Sequence, residues 1–311
     1  MLRRTAFVLA ALLLALTLGS CGGSDGDGDG TDTTDRAAPS DETPIRIGAK
    51  NFTEQSILGE LYRQALEAKG YKVVLKADIG STEIIHRALR RGRLDMYPEY
   101  VGVLLSEVAD VRSRPRTDAA QYEAARDYEA RAGYTLLAQT PLSDTNALAV
   151  KPEFSKRNDV RTIAHLKKLK GTVKIGALPE FKTRFEGLEG LEEVYGLRKL
   201  EVTTVDSGER YATLDSGDVD VASVFTAEAQ LAGRDYVVLE DPRGLFASGH
   251  VAPVISDQIL ELHGPALQTA IDAVSKVLTT PAMREMNAAV DLNDRLPGDV
   301  AREFLQASNL L

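Results

Sequence analysis

Asp95 and Asp220 are the two residues whose type and placement come nearest to a pair of catalytic carboxylates. Two carboxylates facing one cleft could act as general acid and general base. Each aspartate, however, follows a helix that ends in glycine and opens a short apolar strand. These matching positions favour a structural role for both residues over catalysis.

Histidine and cysteine chemistry is not indicated either. The four histidines, His86, His165, His250 and His263, lack metal-ligand spacing, and the sequence has no Gly-x-Ser-x-Gly elbow and no phosphate-binding loop. Cys21 is the only cysteine, which excludes an intrachain disulfide. We therefore expect no enzyme activity, no metal site and no cofactor.

Ligand binding is the better-supported chemistry. The strand after Gly92 ends in Tyr97-Pro98-Glu99-Tyr100, so two rings and a carboxylate stand where the chain turns back. Open α/β sheets bind their ligands at the carboxyl ends of such strands.

The helices and strands that position these residues follow from apolar spacing. Thr53 is expected to cap a first helix, and Ser81 or Thr82 a second one that Gly92 ends. Strands alternate with helices, which is typical of mostly parallel sheets covered by helices. Strands are predicted at 45–49, 71–75, 94–97, 173–177, 200–205, 219–225, 236–239 and 251–255. Helices are predicted at 53–70, 81–92, 118–131, 181–195, 209–214, 257–262, 265–278, 281–290 and 297–308.

An internal repeat predicts two lobes of one architecture. Residues 89–96, LRRGRLDM, return as residues 214–221, LDSGDVDV, and residues 46–49, RIGA, return as residues 174–177, KIGA. Two matches at nearly equal offsets argue for duplication, and a ligand would then lie between the copies.

The lobe boundaries follow from where the chain can pass from one lobe to the other. Residues 142–150 are extended and lie between the two copies, and only helices follow the strand at 251–255. We predict a first lobe of residues 44–144 and 251–311 and a second lobe of residues 145–250. Two crossings predict a hinge.

The N-terminal segment reads as an export signal and a tether. Arg3 and Arg4 precede an apolar run that is short for a bilayer span, and Leu18-Gly-Ser-Cys21 follows. Residues 22–43 form a linker without apolar periodicity, whose seven acids and one arginine give −6 of the chain's net charge of −9. The folded part thus carries no basic footprint for nucleic acid.

Five ordered motifs give the folded region a family resemblance. They are KNFTEQ at 50–55, DMYPEYVG at 95–102, DTNALAV at 144–150, RYATLDSGDVD at 210–220 and APV at 252–254. Together they resemble the substrate-binding lipoproteins of glycine betaine/carnitine/choline (osmoprotectant) ABC transporters. The resemblance implies a two-lobed periplasmic-binding-protein fold with two crossovers, and a lipid on Cys21 at the outer face of the cytoplasmic membrane. The implied partners are a small-molecule solute and the membrane permease, with the binding protein a monomer.

The resemblance also implies site residues. The family holds the ligand carboxylate with residues that correspond to Lys50 and Arg184, one from each lobe. An arginine fork and a lysine point charge suit an anionic group. The family's cation site is a box of tyrosines, matched here by Tyr100, with Phe225 at a usual tyrosine position.

Part of that box is replaced. Asn146 and Gly249 stand where the family has tyrosines, Val103 stands where it has threonine, and His250 follows Gly249. Asn146 or His250 would instead hydrogen-bond a polar ligand. We therefore expect a small zwitterionic or carboxylate solute whose anionic end matters most. The alternative is a sensor that presents a small polar solute, not a quaternary amine, to a membrane receptor.

Overall fold

A computed structural model describes residues 43–112, 115, 117–233 and 236–311, all within one compact unit. The predicted export signal, Cys21 and the linker up to residue 42 lie outside the described residues. Within these ranges, no helix combines the length and the apolar character that a membrane crossing requires.

Within the described ranges, ten strands form two sheets. They are β1 (Ile45–Gly48), β2 (Val73–Lys76), β3 (Met96–Tyr100), β4 (Tyr134–Leu136), β5 (Asn146–Val150), β6 (Val173–Ala177), β7 (Leu200–Thr204), β8 (Val221–Phe225), β9 (Val237–Val238) and β10 (Val251–Ser256). The first sheet has the order β2-β1-β3-β10-β4, and the second has the order β7-β6-β8-β5-β9.

The two sheets have the same topology. β1 lies parallel to β2 and β3, just as β6 lies parallel to β7 and β8. The strand that enters from the other lobe, β10 or β5, runs antiparallel to both of its neighbours. The duplication read from the sequence therefore extends to strand order and direction.

Helices cover the sheets close to where the sequence predicts them. They are α1 (Thr53–Ala68), α2 (Thr82–Arg90), α3 (Val101–Val103), α4 (Asp118–Ala130), α5 (Pro152–Asn158), α6 (Gly190–Glu193), α7 (Arg210–Ser216), α8 (Ala229–Gly233), α9 (Asp257–His263), α10 (Pro265–Val277), α11 (Thr280–Asp291) and α12 (Pro297–Ala307).

The first sheet is buried on both faces. Along β10, Val251 and Ile255 join a core cluster with α1 and the C-terminal helices α10 to α12, whereas Ala252 and Val254 join a cluster with α2 and α4. This alternation follows the period of two in a strand. The C-terminal helices thus complete the first lobe.

The aspartates of the repeat have the same structural role in both sheets. Oδ2 of Asp95 accepts the backbone N–H of Arg46 at 2.7 Å, and Oδ2 of Asp220 accepts the backbone N–H of Lys174 at 3.0 Å. Each carboxylate therefore ties the end of its helix-to-strand turn to the first strand of its own sheet.

Two predicted helix caps differ in the structure. α1 begins at Thr53 with Phe52 as its N-cap, and Thr53 Oγ1 donates to Asp291 Oδ1 at 2.6 Å. Ser81 is the N-cap of α2, but its Oγ donates to Glu83 Oε2 at 2.5 Å. Because each hydroxyl turns toward a carboxylate, neither helix has a side-chain cap among the described residues.

The continuous helix predicted at 181–195 is wrong. A 3₁₀ turn at Pro179–Lys182 and a π turn at Phe185–Glu189 precede the short α6, and Gly187 has non-helical angles of −144° and −134°. A Cβ at Gly187 would lie 2.2 Å from the carbonyl oxygen of Phe181. The break leaves Arg184 in extended backbone between the two turns.

The two segments that connect the sheets lie side by side. Asp144 N–H donates to the carbonyl of Gly249 at 2.9 Å, and Ser143 pairs with His250 in an antiparallel bridge. A Cβ on Gly249 would lie 2.3 Å from the backbone carbon and oxygen of Asp144. Only glycine fits this crossing, so the tyrosine of the family's box has no room here.

Candidate functional site

Three aromatic rings lie in a row between the two sheets. Tyr100 ends β3 and Phe225 ends β8, so they hold the same position in the two sheets. The Phe52 ring lies between them, with its centroid 6.3 Å from that of Tyr100 and 5.4 Å from that of Phe225. The strand ends thus bring Tyr100 and Phe225 together, and Phe52 adds a ring that was not predicted.

The ammonium group of Lys50 is buried against a carboxylate of its own lobe. Its Nζ lies 2.5 Å from Glu99 Oε1 and 3.1 Å from Thr82 Oγ1. The same nitrogen lies 4.5 Å from the centre of the Tyr100 ring. Burial lowers the pKa of Lys50, and Glu99 opposes that shift. Lys50 therefore reaches the cleft already paired with an anion.

Arg184 crosses the cleft to a carboxylate of the first lobe. Its Nε and Nη2 donate to the two oxygens of Glu83 in α2, at 2.9 and 3.0 Å. Burial alone would raise the pKa of Glu83, but the hydrogen bonds and charge of Arg184 lower it to about 2. This bidentate ion pair joins the lobes. It uses Nε and Nη2 of the guanidinium that was predicted to hold a ligand.

Three cavities lie between the lobes and share lining residues, with Phe225 in the wall of all three. The Lys50 cavity includes Lys50 and Arg184. The Asn146 cavity includes Asn146. The Asn287 cavity includes Asn287 of α11.

Glu54 and Asp144 are buried carboxyl groups that line these cavities, and neither was predicted. Glu54 accepts the hydroxyl of Tyr100 at 2.7 Å and Nδ2 of Asn287 at 3.1 Å. Asp144 Oδ1 accepts the N–H of Ala227 at 2.6 Å. Burial raises the pKa of Glu54 to about 7. Burial also raises the pKa of Asp144 well above its usual range, and the charge of Glu54 adds to that rise.

Asn146 is held by a carboxylate of the second lobe. Its Nδ2 donates to Glu186 Oε2 at 2.8 Å, and Glu186 Oε1 accepts the N–H of Ala247 at 3.0 Å. Val103 and Gly249 line the Asn146 cavity together with Asn146. The positions that lack the family's side chains therefore meet in one cavity.

His250 is placed apart from these cavities. Its Nδ1 lies 3.0 Å from the carbonyl oxygen of Thr140 and 3.1 Å from that of Leu142. Both partners accept, so Nδ1 carries a proton. Nε2 lies 3.5 Å from Asp118 Oδ2. Among the described residues that line the three cavities, His250 does not occur.

Sequence reasoning missed several cleft residues. Phe52 and Glu54 lie inside the KNFTEQ motif, and Asp144 opens the DTNALAV motif, so motif membership could have identified them. Glu83 stands in the first turn of a predicted helix, where a structural role is expected. Asn287 has no local signal, because only the packing of α11 brings it to the cleft.

Comparison with known proteins agrees with this geometry. Residues 43–307 match the protein family described as the substrate binding domain of the ABC-type glycine betaine transport system. The chain is 30% identical over 278 residues to a glycine-betaine-binding protein of Pseudomonas aeruginosa, a match covering 86% of this chain and 88% of that one. It is 25% identical over 276 residues to the glycine betaine-binding protein YehZ of Escherichia coli K12, covering 85% and 90%.

A solved structure supports the same conclusion for the fold. The crystal structure of a glycine betaine/carnitine/choline ABC transporter protein superposes with a TM-score of 0.68 at 24% identity, covering 86% of this chain and 99% of that one. The predicted two-lobed α/β fold and the family resemblance are confirmed. Such extracytoplasmic domains take a small-molecule solute and work with a membrane permease. The chain belongs to the family of substrate-binding domains of ABC-type glycine betaine transport systems.

Proposed function

We propose that this chain captures a small solute that carries a cationic nitrogen and delivers it to the permease of its importer. The names of the relatives, which refer to glycine betaine, support a solute with such a nitrogen. The proposed role needs no covalent step, so the chain acts as a binding protein and not as an enzyme. A sensor role has no separate observation in its favour.

One observation carries this proposal: the cleft's cations Lys50 and Arg184 are each paired with a carboxylate, while Glu54 and Asp144 line the cleft without a salt bridge among the described residues. Lys50 is bound to Glu99, and Arg184 to Glu83. Glu83 takes Nε and Nη2 of Arg184, so a ligand carboxylate would have to share the guanidinium with Glu83. We therefore propose that the cationic end of the ligand contributes more to binding than its anionic end, in contrast to the expectation from the sequence.

Calorimetry with a matched panel tests this function. We expect choline and glycine betaine, which both carry a cationic nitrogen, to bind more tightly than acetate and succinate. Phe225→Leu should weaken that binding by about 1 kcal/mol, because a ring over a cation contributes about that much. Phe154→Leu, in the second lobe's core cluster away from the cleft, is the matched control. Tighter binding of a simple carboxylate than of every cationic solute would overturn the proposal.

The membrane attachment is a separate part of the proposal. Cys21 would carry a lipid that holds the exported protein on the outer face of the cytoplasmic membrane. The Leu-Gly-Ser-Cys motif and the acidic linker after it support this role. Cys21→Ala should move the protein from the membrane fraction to the soluble fraction and leave ligand affinity unchanged. A variant that still sediments with membranes would contradict the anchor.

The lobes are proposed to move as rigid bodies in a monomer. The first would comprise residues 44–144 and 251–311, and the second residues 145–250. Sheet membership supports these boundaries, since β5 to β9 all lie in the second sheet. Small-angle scattering should give one chain's mass with and without ligand, and a smaller radius with ligand. An unchanged radius at saturation would rule out the hinge.

A further inference from the structure

The Asn287 cavity has an unusual balance of charge. Its described wall contains four carboxyl groups and neither lysine nor arginine, and the rings of Phe52 and Phe225 line it as well. The carboxyl groups belong to Glu54, Asp144, Glu228 and Asp291. An acidic wall alone does not define a ligand, so the hydrogen bonds of each group matter.

Three cations near this cavity are already neutralised, whereas Arg284 of α11 donates to the carbonyl of Thr226 and forms no salt bridge among the described residues. Lys50 pairs with Glu99, Arg184 with Glu83, and Arg210 with Glu228. Glu54 and Asp144, in contrast, form no salt bridge within the described part of the chain. Both are buried, with 3% and 5% of their surface exposed. A cationic ligand would supply the positively charged partner that these two carboxyl groups lack.

Asn287 carries a buried acceptor that has no donor among the described residues. The residue is only 3% exposed, and its Oδ1 has no donor among the described residues. Its Nδ2 donates to Glu54 Oε2 at 3.1 Å and to the carbonyl of Ala227 at 3.2 Å. Flipping the amide would set Oδ1 against two acceptors, so the network fixes its orientation. The cavity wall thus holds a buried acceptor that needs a donor.

We propose that the Asn287 cavity binds a protonated amine that keeps at least one N–H, with Asn287 Oδ1, Glu54 and Asp144 as its partners. This inference rests on the proposed function and narrows its ligand class. A quaternary ammonium has no N–H and leaves the Asn287 oxygen unsatisfied. Leaving such an acceptor unpaired corresponds to roughly tenfold weaker binding or more.

Ligand pairs that differ by one methyl group test this inference. Dimethylglycine and glycine betaine form one pair, and dimethylethanolamine and choline form the other. In each pair both members carry the same charge at pH 7, but only the first has an N–H. Calorimetry on the intact protein in detergent should give about tenfold tighter binding for the N–H member of each pair.

A substitution at Asn287 tests the role of its amide separately from that of the other cleft residues. Asn287→Leu should remove the preference within each pair, because it deletes the acceptor. Asn293→Leu, in the exposed turn just after α11, should keep the preference. If Asn287→Leu does not fold, the two ligand pairs on the unmodified protein still decide the question.

The outcomes distinguish this inference from the function it rests on. Equal or tighter binding of both quaternary members would overturn the inference and leave the proposed function standing. Binding of acetate or succinate in preference to all four amines would overturn both.

Discussion

The two lobes share one strand order but bury different residues at matching strand ends. In the first lobe, Lys50 and Glu99 form a buried ion pair at 2.5 Å. The repeat places Leu178 and Val224 at the corresponding positions of the second lobe. The same strand order therefore forms with charged residues or with apolar residues at these two positions.

This difference shows which residues the fold itself does not require. A buried ion pair gives little net stability, because desolvation of both charges offsets their attraction. Since the second sheet is built without such a pair, Lys50 and Glu99 are best explained by the cleft, which Lys50 lines and beside which Glu99 holds it. Tyr100 and Phe225, in contrast, put an aromatic ring at the same point of both lobes.

Removing one partner of the Lys50–Glu99 ion pair should have the largest effect on stability. Glu99→Val alone leaves the ammonium of Lys50 buried without its partner, and we expect a loss of about 3–5 kcal/mol in unfolding free energy. The double variant Lys50→Leu with Glu99→Val imitates the second lobe and should lose much less, about 1 kcal/mol. Urea denaturation followed by circular dichroism measures both.

The double variant also provides the decisive comparison. A double variant as unstable as Glu99→Val would show that the first lobe depends on the pair for its fold. In that case the two lobes are not equivalent in this respect.

Replacing the buried Glu129 of α4 should have a smaller effect on stability than breaking the ion pair. Both of its carboxyl oxygens are buried with no hydrogen-bond partner among the described residues. Burial raises its pKa to about 7, although Arg90 opposes the rise. The folded state thus keeps a proton that the unfolded state releases above its ordinary pKa. The contribution of Glu129 to stability should therefore fall as the pH rises from about 4.5 to about 7 and then stay level.

Replacing Glu129 by glutamine should remove that dependence. Glu129→Gln is expected to stabilise the protein by about 2–3 kcal/mol at pH 8 and to change little at pH 4. Glu123→Gln, on the exposed side of the same helix, is the control. Thermal unfolding at the two pH values gives the measurement, and equal effects at both would contradict the assignment.

The smallest expected effect concerns the aspartates of the repeat. Asp95 receives the backbone N–H of Arg46 and also its guanidinium, at 2.8 and 2.5 Å. Lys174 donates its backbone N–H to Asp220. The side chain of Lys174 forms no ion pair within the described ranges. We expect Asp95→Asn to cost about 1–2 kcal/mol and Asp220→Asn about half of that. Equal melting temperatures for the two variants would mean that the guanidinium contributes nothing.

Most of the fold could be predicted because each of its signals is local. Apolar spacing gave the elements, and the repeated Gly-x-x-Asp turns gave the duplication. The break at Gly187 could not be predicted, since it depends on the carbonyl of Phe181 packing against that glycine. The pairing of Arg184 with Glu83 could not be predicted either, because the two residues are 101 positions apart and lie in different lobes. Local patterns identify cations, whereas only tertiary structure shows which anions neutralise them.

Asp144 lies in the walls of both the Asn146 and the Asn287 cavities, and it also belongs to the segment where the chain passes between the sheets. Its N–H donates to Gly249 on the returning segment. The proposed hinge and the proposed ligand cavities therefore share one residue. Rotation about that hinge would change the shape of the cavities directly, without a relay of side chains. Ligand affinity and lobe angle should accordingly change together in any variant that displaces this backbone, and neither can be tuned there alone.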